Sequence, residues 1–159
     1  MSGDNAARQR FFADAMLGSL ARWLRVMGYD CAYEKSIEDG ALVERAVDED
    51  RVILTRDTLI MGRKKARGRV FFINSNAVEG QIREVRDGLG LDVARFLTRC
   101  LRCNVLLEDA PKETVREKAP SYVYDTQDAF SRCPACGRVY WSGTHGERML
   151  EEVERFLKG

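Results

Sequence analysis

Short apolar runs alternate with helically periodic segments in the part of the chain up to residue 98. The apolar runs, which are bounded by polar residues or glycine, predict strands at Arg10–Ala13, Cys31–Tyr33, Arg51–Thr55 and Arg69–Ile73. The segments between them predict three helices, which carry Leu17, Leu20, Ala21, Leu24 and Met27, then Leu42, Val43, Ala46 and Val47, then residues Gln81–Asp87. Strands that alternate with helices form right-handed βαβ units and a mainly parallel sheet. The pattern therefore predicts an α/β fold.

Local signals predict where these helices begin and end. Gly28 follows the first helix at a position where glycine commonly adopts a left-handed backbone. Residues Ser36–Asp39 resemble a capping box, which predicts that the second helix begins there. Gly88 and Gly90 are expected to stop the third helix. A closing helix with one apolar face, expected to pack on a core, is predicted around Met149, Leu150, Val153, Phe156 and Leu157.

Composition narrows the class of protein. A chain of 159 residues, 45% of them hydrophobic, suits one domain with a core plus a small appendage. Its 26 basic and 25 acidic side chains give a net charge of +1, so any nucleic-acid-binding surface must be local. No apolar stretch approaches the ~18 residues of a membrane span, and residues 1–8 lack the apolar core of a secretory signal. We expect a cytoplasmic protein without a membrane partner.

Four of the five cysteines form two Cys-x-x-Cys pairs, Cys100/Cys103 and Cys133/Cys136. In a reducing compartment this pattern favours a bound metal over disulfides, and a redox pair is the alternative. Four thiolates provide the closed tetrahedral site of structural Zn²⁺. We therefore predict that a small zinc ribbon with four cysteine ligands follows the α/β part, while Cys31 is a buried apolar residue.

Three aspartates fall where a parallel sheet binds ligands, beyond the carboxyl ends of its strands. Asp14 directly follows the first strand, Asp57 lies shortly after the third, and Asp39 lies in the first turn of the second helix. Close carboxylates repel one another unless a divalent cation compensates their charge, and Mg²⁺ or Mn²⁺ suits such oxygen ligands. Such an ion can activate water against a phosphodiester. Each aspartate also has a structural alternative, because Asp14 suits a helix cap, Asp39 a capping box and Asp57 a turn.

A basic segment and a group of rings are candidates for nucleic-acid contacts. Residues 63–69 carry five positive charges, among them Lys64 and Lys65. Such side chains hold phosphate without reading sequence, although charge runs are also ordinary solvated surface. Three residues with ring side chains follow the last cysteine pair: Tyr140, Trp141 and His145. Their rings either stack on unpaired bases or pack over the metal site.

Taken together, these segments resemble one known family. Residues Phe12–Gly18, Leu20–Arg25 and Gly28–Asp30, followed by Asp39 and then Ile53–Asp57, resemble the PIN-like ribonuclease domain at the carboxy terminus of the MUT-seven exonucleases. The two cysteine segments, Arg99–Asn104 and Cys133–His145, are similar to the zinc ribbon fused to that domain. The resemblance covers residues 10–149.

The resemblance implies a fold and a reaction. It implies a PIN-like three-layer domain over residues 10–98, followed by the zinc ribbon and the closing helix over residues 99–159. It also implies that RNA is hydrolysed at a divalent-metal site. By their positions in the motifs, Asp14, Asp39 and Asp57 would hold Mg²⁺ or Mn²⁺. Thr55 would orient Asp57 by a hydrogen bond.

Other positions carry over from the same motifs. Where PIN nucleases often place a further acid after the next strand, this sequence has Asn74 and Ser75, whose neutral oxygens would support the metal. Phosphate contacts are expected from arginines within the motifs and from residues discussed above: Arg22, Arg25, Arg56, Lys64, Lys65 and His145.

Three functions are consistent with these residues. The leading hypothesis is a divalent-metal-dependent ribonuclease with a structural Zn²⁺. Because the further acid is absent, the alternative is a non-catalytic module that binds RNA or a protein through a zinc ribbon on a degenerate nuclease fold. Hydrolysis of small phosphoesters is a third possibility, since similar acid clusters occur on other α/β folds.

Overall fold

The computed structural model describes residues 9–159, so the prediction about residues 1–8 concerns a segment outside the described residues. The amino-terminal part contains a four-stranded sheet made of β1 (Arg10–Ala13), β2 (Asp30–Tyr33), β3 (Val52–Thr55) and β4 (Val70–Phe72). The strand order is β2-β1-β3-β4, and every neighbouring pair is parallel. The sequence prediction of an α/β fold with a parallel sheet is confirmed.

Helices connect the strands in the expected alternation. They are α1 (Gly18–Val26), α2 (Asp39–Asp48), α3 (Thr58–Met61) and α4 (Val78–Leu89), with 3-10 turns at Ala15–Leu17 and Lys64–Ala66. No helix within residues 9–159 is both long and apolar enough to cross a membrane.

Alternate side chains of each strand enter two separate cores. Phe11 and Leu54 contribute to the core on one face of the sheet, which α1 and α4 cover. Phe12 and Ile53 contribute to the core on the other face, which α2 covers. All four side chains are fully buried, as expected for parallel strands with helices on both faces. The sheet is therefore the middle of three layers.

The segment around the second cysteine pair forms a small antiparallel sheet. Its strands are β5 (Glu108–Ala110), β6 (Phe130–Arg132) and β7 (Val139–Trp141), in that order. A 3-10 turn (Lys112–Val115) and α5 (Ser121–Thr126) lie between β5 and β6. Val115, Val123 and Phe130 form a third, smaller core here.

The closing helix, α6 (Thr144–Lys158), packs against the parallel-sheet domain. Val153 and Phe156 are buried in the same core as α1, and the ring of Phe156 meets that of Trp23 edge-on at 5.2 Å. Arg83 on α4 donates from Nε to the carbonyl oxygen of Phe156 at 2.8 Å. The prediction of a core helix is confirmed, and the division of the chain at residue 98 stays a prediction.

The predicted stop of the third helix at Gly88 is wrong. Helix α4 begins earlier than expected, runs through Gly88 to Leu89, and ends at Gly90, whose φ is +80°. A Cβ at Gly88 would lie 2.3 Å from a ring carbon of Phe71. Glycine is therefore required at this helical position because the aromatic side chain of β4 packs against its backbone.

The predicted capping box before α2 is also wrong. The residue that precedes the helix is Glu38, which has an extended backbone, and no side chain caps the first turn. The chain turns before this point, where the N–H of Ile37 donates to the carbonyl oxygen of Glu34. Asp39 is consequently the first residue of the helix, and its carboxylate is not used to cap it.

A partly buried ion pair joins the edge strand β2 to the start of β3, and Asn104 connects it to the segment that carries the first cysteine pair. Arg51 donates from Nη1 to Asp30 Oδ1 at 2.6 Å and to the carbonyl oxygen of Phe11 at 3.1 Å. Asn104 donates to the same Asp30 oxygen at 2.7 Å and accepts from the N–H of Cys31 at 2.9 Å. Burial raises the pKa of Asp30, but the hydrogen bonds from Arg51 and Asn104 and nearby positive charge outweigh it, so this pKa lies below its ordinary value of 3.8.

Asp30→Asn is expected to lower the free energy of unfolding by about 2 kcal/mol at pH 7, because it weakens a charge-assisted bond to a buried guanidinium. Since the folded-state pKa is depressed, the Asp30 carboxylate stabilises the fold above about pH 4, and this contribution disappears as the pH falls through the folded-state pKa. Urea unfolding of both proteins should therefore show a difference that shrinks between pH 6 and pH 3. A difference independent of pH would contradict this account.

Candidate functional site

The two cysteine pairs come together in the fold. The sulfur atoms of Cys100, Cys103, Cys133 and Cys136 all lie within 4.8 Å of one another, and the Cys100 and Cys136 sulfurs are 3.8 Å apart. A tetrahedron with zinc–sulfur bonds of about 2.3 Å places its sulfurs about 3.8 Å apart. The donor set therefore fits Zn²⁺. Cys31 lies elsewhere, in β2, where burial raises the pKa of its thiol to about 12.

Both pairs have the same local backbone arrangement. The N–H of Cys103 donates to the sulfur of Cys100, and the N–H of Cys136 donates to the sulfur of Cys133, each at 3.4 Å. The residue after each pair has a positive φ, which is +66° at Asn104 and +78° at Gly137. This turn directs main-chain N–H groups at the sulfurs and so stabilises negative charge on them.

Tyr140 on β7 supports the cluster from its side. Its hydroxyl donates to the sulfur of Cys100 at 3.2 Å and accepts from the N–H of Leu101 at 3.1 Å. Burial raises the pKa of Cys100, but hydrogen bonds from Tyr140 and from backbone N–H groups lower it more, to about 6. A thiolate at neutral pH is the form that binds metal.

Asp14 and Asp57 come together through Thr55 at the carboxyl edge of the parallel sheet. Asp14 follows β1, and Asp57 lies two residues beyond β3, its neighbour in the sheet. The hydroxyl of Thr55 donates to Asp14 Oδ2 and accepts from the N–H of Asp57, both at 2.9 Å. Thr55 is fully buried and Asp14 is only 7% exposed. The carboxylate of Asp14 and the backbone of Asp57 therefore belong to one hydrogen-bonded unit.

The negative charge of Asp14 has no cationic partner in the described part of the chain. None of the ion pairs formed within residues 9–159 involves this carboxylate. Burial of a carboxylate is costly unless a cation or several hydrogen bonds compensate it. Asp14 has two hydrogen bonds, from Thr55 and from the N–H of Ala15. The site is therefore suited to receive a cation.

The structural alternatives for two of the aspartates are present in the fold. Asp14 Oδ1 accepts from the N–H of Ala15 at 2.7 Å, and Asp57 Oδ1 accepts from the N–H of Leu59 at 2.8 Å. Each residue thus caps the turn or helix that follows it. Because each carboxylate oxygen has two lone pairs, these caps leave both side chains able to bind a metal.

Asp39 is not in the same hydrogen-bonded unit. Within residues 9–159, the four cysteines are the one group of three or more ligand side chains whose atoms all lie within 4.8 Å, so the three aspartates do not form such a group. Asp39 is half-buried at the start of α2. The structure therefore joins Asp14 with Asp57 and leaves Asp39 as a separate carboxylate.

The basic segment begins beside Asp39. A Cβ at Gly40 would lie 3.4 Å from Arg63 Nη1, so the guanidinium lies against the first turn of α2. A groove of about 260 Å³ runs from this point along Lys64 and Lys65, both of which are exposed. Positive charge thus lies close to one of the three predicted carboxylates.

Sequence reasoning missed one acid near the end of β4. Glu84 on α4 accepts from the N–H of Asn74 at 2.8 Å and from the N–H of Ser75 at 2.6 Å. Gly80, one turn earlier, allows this approach, because a Cβ there would lie 2.1 Å from Ser75 Oγ. A glycine and a glutamate four residues apart on one helix face were the available signal. A carboxylate from the next helix therefore lies at the end of β4, where the sequence has no acid directly after the strand.

The predicted phosphate contacts divide among several places. Arg56 donates to the carbonyl oxygen of Asn74, and its buried Nε has no hydrogen-bond partner in the described part of the chain. Arg22 and His145 line one cleft of about 140 Å³ together with Trp141. Arg25 lies in a different cleft, beside β2. The structure thus brings Arg22 and His145 together in one cleft and Lys64 and Lys65 together in another, while Arg25 and Arg56 lie apart from both pairs.

Tyr140→Phe is expected to weaken Zn²⁺ binding by about tenfold or more, because it removes the hydroxyl that donates to the Cys100 sulfur. Competition with a chromogenic chelator measures this change. Tyr122→Phe is the matched control, since Tyr122 is 72% exposed and its hydroxyl makes no hydrogen bond within the described residues. Equal zinc affinities in the two variants would contradict a supporting role for Tyr140.

Comparison with known families agrees with the fold and the cysteine cluster. A family model described as the Mut7-C RNAse domain matches residues 9–153. No curated protein matches the chain. The match spans the parallel sheet, both cysteine pairs and most of α6, and it confirms the resemblance to the MUT-seven ribonuclease domain. The chain belongs to the Mut7-C RNAse domain family.

Proposed function

We propose that this protein is a divalent-metal-dependent ribonuclease that hydrolyses RNA phosphodiester bonds at the carboxyl edge of its parallel sheet. The observation that carries this proposal is the buried carboxylate of Asp14, which lacks a cationic partner among residues 9–159 and is joined through Thr55 to the backbone of Asp57. Membership of a ribonuclease domain family supports RNA as the substrate. We place its action in the cytoplasm, where reduced thiols remain available to Zn²⁺.

Asp14, Asp39 and Asp57 would hold Mg²⁺ or Mn²⁺. Each of the three offers carboxylate oxygens with unused lone pairs, which is the donor chemistry that these ions prefer. When bound, such an ion supplies positive charge that lowers the pKa of water and stabilises the negative charge that develops on a phosphodiester. Thr55 acts as a positioning residue, because its hydroxyl fixes the orientation of the Asp14 carboxylate relative to the backbone of Asp57.

Basic side chains around this edge would hold the phosphates that flank the cleaved bond. Arg56 directly precedes Asp57, is half-buried, and forms no ion pair within the described residues, so its guanidinium charge would attract a phosphate at this edge. Lys64 and Lys65 extend from the groove beside α2 and add attraction that does not depend on base sequence. The cleft of Arg22 and His145 would accept an unpaired base next to Trp141.

The Zn²⁺ site would be structural. Four thiolates leave no open coordination position for water or substrate. The cluster lies between β7 and the segment that contacts β2, so zinc would hold these parts of the chain together. Its removal would therefore disturb the shape of the protein before it affects the chemistry at Asp14.

A non-catalytic binding module is the second candidate. Two observations favour it: the three aspartates do not form one compact ligand group within residues 9–159, and Glu84 is already bonded to two backbone N–H groups. In that case the basic groove and the cleft of Arg22 and His145 would bind RNA without cleaving it.

Asp57→Asn is expected to reduce cleavage of end-labelled single-stranded RNA by about a hundredfold or more in Mg²⁺ or Mn²⁺, because it removes a ligand charge. Asp109→Asn is the matched control, since Asp109 is an exposed residue of β5 outside the proposed site. Unchanged cleavage by Asp57→Asn would contradict the proposal. If neither wild type nor variant cleaves RNA while both bind it, the binding module is the better description.

Thr55→Val tests positioning separately from ligand charge. Valine keeps the shape of the buried threonine but removes both hydrogen bonds, so kcat should fall about tenfold to a hundredfold while KM changes little. Thr55→Ser, which keeps the hydroxyl, should restore most of kcat. Steady-state kinetics and urea unfolding of each variant distinguish a loss of positioning from general destabilisation. An equal loss of kcat in Thr55→Val and Thr55→Ser would contradict a positioning role for the hydroxyl.

A further inference from the structure

A cleft of about 560 Å³ runs along the outer edge of β2, between this strand and the first cysteine pair. Its volume lies within the roughly 300–1,000 Å³ range of ordinary ligand sites. β2 is an edge strand, so the cleft opens on the side of the sheet away from β4. Five arginines line the cleft: Arg25, Arg45, Arg51, Arg99 and Arg102.

The positive charge of this cleft is only partly neutralised. The acids that line it are Asp30 and Glu34. Asp30 is paired with the buried Arg51, and Glu34 is paired with Arg45. Within residues 9–159, no ion pair involves the remaining three arginines, which are Arg25, Arg99 and Arg102. The cleft therefore has an excess of cationic side chains.

Backbone carbonyls hold two of these guanidinium groups in place without neutralising them. Arg25 donates from Nε to the carbonyl oxygen of Cys31 at 2.9 Å and from Nη1 to that of Leu101 at 3.0 Å. Arg99 donates from Nη1 to the carbonyl oxygen of Asn104 at 2.8 Å. A guanidinium has five N–H donors, and the Nη2 group of both arginines has no partner within the described residues. These groups are oriented in advance for an anionic ligand.

The cleft extends to the edge of the sheet that carries Asp14. Tyr33, the last residue of β2, lines the cleft, and its hydroxyl donates to the carbonyl oxygen of Ala15 at 2.7 Å. Ala15 directly follows Asp14 in the chain. A polymer bound at Asp14 would therefore find the cleft beside it, along the length of β2.

We propose that this cleft binds the phosphate backbone of single-stranded RNA that extends from the Asp14 edge, through Arg25, Arg99 and Arg102. The identity of the ligand rests on the proposed function, whereas the anionic character rests on the unpaired guanidinium groups. A planar guanidinium can contact two phosphate oxygens at once. Tyr33 is the one aromatic residue among those that line the cleft, so the cleft offers little surface for stacking of bases. Binding there would therefore involve the phosphate backbone and would not depend on base sequence.

Binding without cleavage tests this inference independently of the reaction. Affinity for a fluorescently labelled single-stranded RNA is measured by anisotropy in the Asp57→Asn background, without added Mg²⁺ or Mn²⁺. Arg102→Ala should weaken binding about threefold to tenfold. The plot of log affinity against log salt concentration should become shallower, with the magnitude of its slope reduced by about 0.7. Arg102 is exposed, and its side chain makes no hydrogen bond within residues 9–159, so this variant should fold.

A gain of affinity provides a second measurement that misfolding does not imitate. Glu34→Gln removes a negative charge from the cleft and one of the two ion pairs of Arg45, which stays paired with Glu49, so RNA binding should become tighter. Arg148→Ala is the matched control, because Arg148 is an exposed arginine on α6 that forms no ion pair within the described chain. Arg148→Ala should bind RNA like its parent.

If Arg102→Ala and Glu34→Gln both bind RNA as tightly as Arg148→Ala, the inference is overturned, while metal-dependent cleavage by the wild type would leave the proposed function intact. If polyglutamate competes for the cleft more strongly than RNA does, the cleft serves an acidic protein and the inference is likewise overturned. If the wild type does not cleave RNA but Arg102→Ala and Glu34→Gln change RNA binding as expected, only the proposed function is overturned.

Discussion

The ion pair between Asp30 and Arg51 connects more parts of the chain than any other contact described above. Arg51 also bonds to the carbonyl oxygen of Phe11 and to Glu49, so one guanidinium links β1, β2 and the end of α2. Asn104 extends the link to the first cysteine pair through the same carboxylate. Arg51 is nearly buried, so loss of the Asp30 carboxylate would leave its charge with Glu49 as the one acidic partner within the described residues. The position of the first cysteine pair against β2 therefore depends on this ion pair, together with the bonds of Arg25 and Arg99 to backbone carbonyls.

Much of the architecture could be predicted from local pattern, because short apolar runs and helical spacing report which faces are buried. The four strands, the parallel order of connection and the cysteine cluster follow from such signals. The placement of Asp14 and Asp57 at one edge of the sheet was also predictable, since residues after adjacent parallel strands meet there, but their role as metal ligands stays a prediction. The membership of Asp39 in that site, and the roles of the predicted arginines and lysines, stay predictions.

What could not be predicted depends on contacts between distant residues. Gly88 continues its helix because Phe71 packs on it, and no local signal reports that ring. Glu84 reaches the end of β4 because Gly80 allows the loop to approach α4. Arg25 lies in a sequence motif shared with Arg22, yet its guanidinium bonds to backbone carbonyls beside the first cysteine pair. In each case tertiary packing, not propensity, decides what the side chain does.

The side chain of Asn104 has a consequence for how the protein behaves in solution. Its amide oxygen accepts from the N–H of Cys31 on the outer side of β2, the side that faces away from the other strands of the sheet. An open strand edge is a template for pairing with another chain, and proteins cover such edges to avoid aggregation. Asn104 is the residue directly after Cys103, so the turn that carries two of the four clustered cysteines also covers the edge. Loss of zinc would therefore expose a strand, and self-association would be its visible result.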